Sequence, residues 1–232
     1  MCTITCKYIS IWKNLDHAGN IILFYSLLLK VKINNLTSFR GVLLQRQSRL
    51  TEAVDVYKKA IHFRPKLVLA HLNLGMAYDA LGYRKEGLKI LQSMASIPDD
   101  GLKDPRTHQQ AQTSALFNSG KILLELGYPS DAMEKLVRAH EDIIKVHQQE
   151  RSSQLSGNLP SLSSILNLLG EASRFLNQTQ DAEKYYQEAL KVNPDHIPAY
   201  LTYGKLLSKN VSIFYYVEIV KCIEKKNYVN LH

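Results

Sequence analysis

Cysteine is scarce in this 232-residue sequence: Cys2, Cys6 and Cys222 are the only three, and none lies between positions 7 and 221. So few thiols, all near the ends, exclude a disulfide framework. With no second ligand pair beside Cys2 and Cys6, they exclude a zinc site too. Long apolar runs are also missing. The longest, "IILFYSLLL" at 21–29, is well short of the roughly 20 residues that span a bilayer. It also lies too far from the start, behind charged and polar residues, for a signal peptide. The sequence therefore gives neither a membrane span nor a targeting signal. Catalytic patterns are absent as well: there is no GxxxxGK[ST] loop, no GxSxG turn and no paired-carboxylate signature, and the eight histidines contain no i,i+4 metal pair. No catalytic residue, metal ligand or cofactor site can be named on this chain. Net charge is +8, but residues 1–39 carry four Lys/Arg against one acid and 211–232 carry three against two. Half of the excess thus sits at the ends. Between 40 and 210, 22 basic and 18 acidic side chains are interspersed, an ordinary solvated surface that argues against nucleic acid as a partner.

What the sequence does have is a helical pattern interrupted by glycine at regular places. A glycine inside a helix costs about 1 kcal/mol relative to alanine, so its recurrence needs a reason. Gly41, Gly75, Gly120, Gly170 and Gly204 stand in the similar phrases "RGVLL", "LGMAY", "SGKIL", "LGEAS" and "YGKLL". The first two are 34 residues apart, as are the last two, while the other gaps are 45 and 50. Twelve residues after the first four glycines come Ala53, Gly87, Ala132 and Ala182; four later come Tyr57, Leu91, Leu136 and Tyr186; three later come Ala60, Met94, Ala139 and Ala189. Small residues at the eighth and twentieth positions let paired helices lie close together. Large ones at the fourth, eleventh (Tyr78 in the second unit) and twenty-fourth fill the space between. This is the tetratricopeptide (TPR) period. The predicted fold is an all-α solenoid of helix-turn-helix pairs wound into a right-handed superhelix, with about four and a half repeats. The predicted units are 34–67, 68–101, 113–146, 163–196 and a partial 197–210. A helix-breaking insert precedes the third unit, whose helices should be elongated, and a Gln/Ser/Asn-rich linker precedes the fourth. Residues 1–33 share no repeat pattern. Residues 211–232 lack the alanine expected at the twentieth position, and either cap the array with an atypical helix or are foreign to it.

Stacked first helices line a concave groove, so a protein or peptide is the expected ligand. Asn73 and Asn118 both fall at position six. There, exposed amides would bond the backbone of an extended peptide, although Leu168 and Thr202 break the ladder. Tyr200 should pack between helices, away from that face. Leu72 and Met76 are apolar where lysine and asparagine would clamp a peptide carboxylate. His71 occupies a packing position and reads as a core histidine. Three N-x-[ST] sequons occur, at Asn35, Asn177 and Asn210. Asn177, in the turn between the helices of the fourth unit, is the candidate for N-glycosylation.

Residues 40–210 resemble the C-terminal repeat region of the transmembrane-and-tetratricopeptide O-mannosyltransferase family. The resemblance is carried by "GVLLQRQSRLTEAVDVYKKAIHFRP", by the insert-bearing "IPDDGLKDPRTHQQAQTSALFNSGKILLELGYPSDAMEKLVRAHEDI" and by "DAEKYYQEALKVNPDHIPAYLTYGKLLSKN". It implies an endoplasmic-reticulum membrane protein. In that family a multi-span part transfers mannose from dolichyl-phosphate mannose to Ser/Thr of cadherin-type substrates, and the repeats are luminal. The spans and the acidic luminal loop of the family have no counterpart here, so no catalytic residue carries over. The match begins at Phe39–Gly41 and stops after Asn210, edges expected of a fragment whose ends are foreign to the family. The alternative reading is a free-standing cytosolic scaffold that binds peptides.

Overall fold

The computed structural model describes residues 40–94, 97, 105–149 and 159–208. The segments 1–33 and 211–232, most of the insert, the linker and the sequons at Asn35 and Asn210 lie outside the described residues. Within them the chain forms helical hairpins and no strand. α1 is helical over 40–46 and pairs with α2 (Leu50–Phe63); α3 (Val68–Ala80) pairs with α4 (Arg84–Ser93). α5 (Pro105–Glu125) pairs with α6 (Pro129–Gln149), α7 (Leu162–Phe175) with α8 (Thr179–Val192), and α9 (Ile197–Ser208) follows. α5 and α6 are 21 residues each, against 10 to 14 for the other complete helices. Proline opens both long helices, where its missing N–H is no loss. Ser161 caps α7, its hydroxyl accepting from the Ser164 backbone N–H at 3.1 Å.

Each complete hairpin turns through one residue with positive φ: Ser48 (60°), Gly82 (84°), Gly127 (83°) and Asn177 (60°). The next residue's N–H then reaches back to the helix that has just ended, Tyr83 to the Tyr78 carbonyl at 2.9 Å and Gln178 to that of Ser173 at 2.9 Å. This left-handed C-terminal stop satisfies carbonyls that the helix end leaves open.

The recurrent glycines are explained by what faces them. A Cβ at Gly41 would stand 2.5 Å from the Tyr57 ring, at Gly75 2.7 Å from Leu91, at Gly120 2.6 Å from Leu136 and at Gly170 2.5 Å from Tyr186. The residue sixteen positions on therefore occupies the space that the glycine leaves. Ala53, Ala132, Ala182, Ala60, Ala139 and Ala189 are buried at the crossings. In the second hairpin glycine stands on both sides, and a Cβ at Gly87 would meet the Gly75 carbonyl oxygen at 2.8 Å.

First and second helices differ in how they bury. α8 buries one stripe, Ala182, Tyr186 and Ala189, whereas α7 buries eight residues around most of its circumference. A first helix is packed between two second helices, its own and the preceding one, and it also touches the next first helix: α3 meets α5, α5 meets α7 and α7 meets α9. The second helices make no comparable contact with one another among the described residues. The first helices thus form the inner wall of a curved stack.

Candidate functional site

On this inner wall α5, α7 and α9 enclose a pocket of about 270 Å³. Phe117, Leu124, Leu168 and Pro198 give it apolar sides, and Lys121, Glu125, Asn167, Glu171 and His196 supply polar groups. Spacing explains the convergence: Phe117, Lys121 and Leu124 lie along one face of α5, and Asn167 and Glu171 stand one turn apart on α7. Asn167 is buried. The Thr202 hydroxyl donates to its side-chain oxygen at 2.5 Å, with the Pro198 carbonyl 2.9 Å away as a further acceptor. This bond ties α9 to α7.

Charges around the pocket are mostly paired. Lys121 lies 3.2 Å from Asp79 and 3.7 Å from Glu125, Glu125 accepts from Arg84 at 2.6 Å, and Arg84 stands 3.9 Å from Asp79. Two cations and two carboxylates so close a neutral network between the second and third hairpins. Glu171 is different. Burial raises its carboxyl above the ordinary value against the pull of Arg174 and Lys205, and Glu125 raises it further. Burial lowers the pKa of His196, keeping it neutral at pH 7, and its Nε2 is buried without a hydrogen-bond partner. Below the inner wall, burial pushes the Tyr186 hydroxyl up to about 12.

The residues singled out from the sequence are only partly gathered here. Asn73 and Asn118 are half-buried rather than openly exposed, and the Asn118 amide donates to the Ser114 carbonyl of its own helix at 2.7 Å. That bond uses a donor otherwise free for a peptide. Thr202, read as a break in the amide ladder, is instead the partner of Asn167. Tyr200 is half-buried, and His71, also half-buried, has Nδ1 3.1 Å from the Leu67 carbonyl. Tyr78 is half-buried, edge-on to Tyr83 with ring centroids 6.3 Å apart, and Gly204 is buried. Asn177 is exposed at its turn. Sequence reasoning missed Asn167, Glu171 and His196. The signal available was a single amide in the apolar phrase "LNLLG", with an acid four residues on. A second hollow, of about 340 Å³ between α4, α5 and α6, includes Gln92, Gln112, Lys135 and Arg138. Among the described residues no group of three or more His, Cys, Asp or Glu could hold a metal ion, and no helix is long and apolar enough to cross a membrane.

Hairpins with a fixed register, small residues at the crossings and an inner wall of first helices define a tetratricopeptide array. Residues 43–82 match the family model "TPR repeat" and residues 163–196 match "Tetratricopeptide repeat". By sequence the array is similar to a short stretch of several O-mannosyl-transferases. The chain is 41% identical over 124 residues to Protein O-mannosyl-transferase tmtc2 of Xenopus laevis, covering 53% of this chain and 13% of that protein. It is 35% identical over 207 residues to Protein O-mannosyl-transferase Tmtc2 of Drosophila melanogaster, covering 74% and 21%. The chain therefore spans about one fifth or less of the length of these relatives. Among solved structures, PilW, a widely conserved type IV pilus biogenesis factor, superposes with a TM-score of 0.66 at 17% identity, covering 84% of this chain and 78% of that one. At that identity the likeness concerns the fold.

Proposed function

We propose that the array holds the acceptor for an O-mannosyl-transferase, its inner wall receiving an extended segment of a cadherin-type protein. The observation that carries this reading is the inner pocket of about 270 Å³, where apolar walls surround hydrogen-bonding groups. Such a lining suits a side chain of a bound segment. Similarity to the O-mannosyl-transferases supports the choice of substrate. The donor in this reading, dolichyl-phosphate mannose, is handled outside the array.

The matching location is the lumen of the endoplasmic reticulum, where Asn177, exposed in its turn, would carry an N-linked glycan. Enzymatic deglycosylation should then shift the wild-type chain by one glycan more than Asn177→Gln. Binding is tested with purified chain and recombinant cadherin repeats by calorimetry. The double variant Phe117→Ala, Leu168→Ala should weaken binding about tenfold with an unchanged circular dichroism spectrum. Full affinity in that variant would remove the groove from the account, and no binding to any cadherin repeat would remove the substrate. Peptide binding with Asn177 unglycosylated would favour the cytosolic scaffold instead.

A further inference from the structure

The charged groups on the inner wall do not all find partners. Lys121, Glu125, Asp79 and Arg84 satisfy one another within 3.9 Å. Glu171, which lines the same pocket from α7, has no hydrogen bond and no ion pair among the described residues. Arg174 and Lys205 attract it without pairing, and Arg174 is held over the Phe175 ring, 4.3 Å from its centroid. Burial has raised the Glu171 carboxyl in spite of both cations, so their pull does not offset what the carboxylate loses by leaving water. His196, in the lining of the same pocket, has its Nε2 buried and unpartnered. Phe117 and Leu168 give the same pocket apolar sides.

A guest that suits both parts has an apolar stem and a cationic head. Lysine and arginine are built this way, laying methylenes along apolar surface and ending in hydrogen-bond donors. An aromatic ring such as Phe117 beside the stem favours a cation further. A carboxylate guest would meet the unpaired Glu171 and be repelled. We propose that the pocket between α5, α7 and α9 is a subsite for a Lys or Arg side chain of a peptide lying in the groove, with Glu171 taking the cation and Phe117 and Leu168 flanking its stem. This rests on the groove reading above, and adds to it the chemistry of one residue of the ligand.

The test is a selection of a phage-displayed random dodecapeptide library on the full chain, repeated on Glu171→Gln. Peptides recovered on the wild type should share a Lys or Arg at one position. In a synthetic copy, replacing that residue by its neutral isostere (norleucine or citrulline) should weaken binding about tenfold. Glu171→Gln should weaken the unmodified peptide by a similar factor and the neutral peptide hardly at all, as a double-mutant cycle requires for a direct contact. Peptides that bind with no basic position, or that bind Glu171→Gln as well as the wild type, would overturn the subsite and leave the groove standing. Recovery of no peptide on the wild type would overturn both.

Discussion

Replacing Gly170 by alanine sets two effects against each other. In an open helix the change would gain about 1 kcal/mol. Here the added methyl would stand 2.5 Å from the Tyr186 ring, which is fully buried and has little room to move. Overpacking of this kind costs about 1–3 kcal/mol, so Gly170→Ala should lower the urea midpoint; a raised midpoint would mean that the ring steps aside. Glu171 gives a pH-dependent counterpart. Its folded carboxyl is raised, so the native state holds the proton more tightly than the unfolded chain does. Stability from this group is present below the unfolded value, about 4.3, and is lost as pH rises through the folded one. Glu171→Gln should therefore be more stable than the wild type at pH 7, with the gain vanishing toward pH 4. A difference that stays constant with pH would contradict the burial of the carboxylate.

At the scale of helices, the bond between Thr202 and Asn167 ties α9 to α7 with both side chains buried. Thr202→Val keeps the shape and leaves the Asn167 oxygen without that donor, which should cost about 1–3 kcal/mol in denaturant unfolding. Adding Asn167→Leu should recover much of the loss, because replacing both partners leaves no stranded polar atom; failure to recover would show that packing, not the bond, holds α9. This pair also shows where sequence reading stopped. Helix pairing was legible because it rests on residues in one unit at fixed spacing, Gly41 with Tyr57 and Gly170 with Tyr186. The pocket was not, because it joins side chains of three first helices, and the linker ahead of α7 breaks the 34-residue period between α5 and α7. Asn118 was chosen for its position in the unit, yet its own helix takes up its amide. Asn167 and Glu171 stood in no column, and only the approach of α9 gives them a role.

Over the whole molecule, apolar burial is distributed rather than pooled. The largest cluster runs from Leu123 through Ile143 and Leu169 to Ala199, while smaller ones join α1–α3 and α3–α5. A stack of this kind is stabilised between neighbours and opens unevenly. Hydrogen exchange read by mass spectrometry should find the strongest protection in α5, α6 and α7, and faster exchange in α2; one common rate for every helix would refute this. The close approach inside each hairpin bears on how such arrays are inherited. Glycine and the side chain that fills its place belong to the same unit, with tyrosine as the filler at Tyr57 and Tyr186 and leucine at Leu91 and Leu136. A gene duplication that copies one unit copies both halves of the contact together, and an exchange of whole units keeps every pair intact. A crossover between the two would instead join a glycine to a filler shaped by another hairpin. Recombination is safest where one unit ends and the next begins.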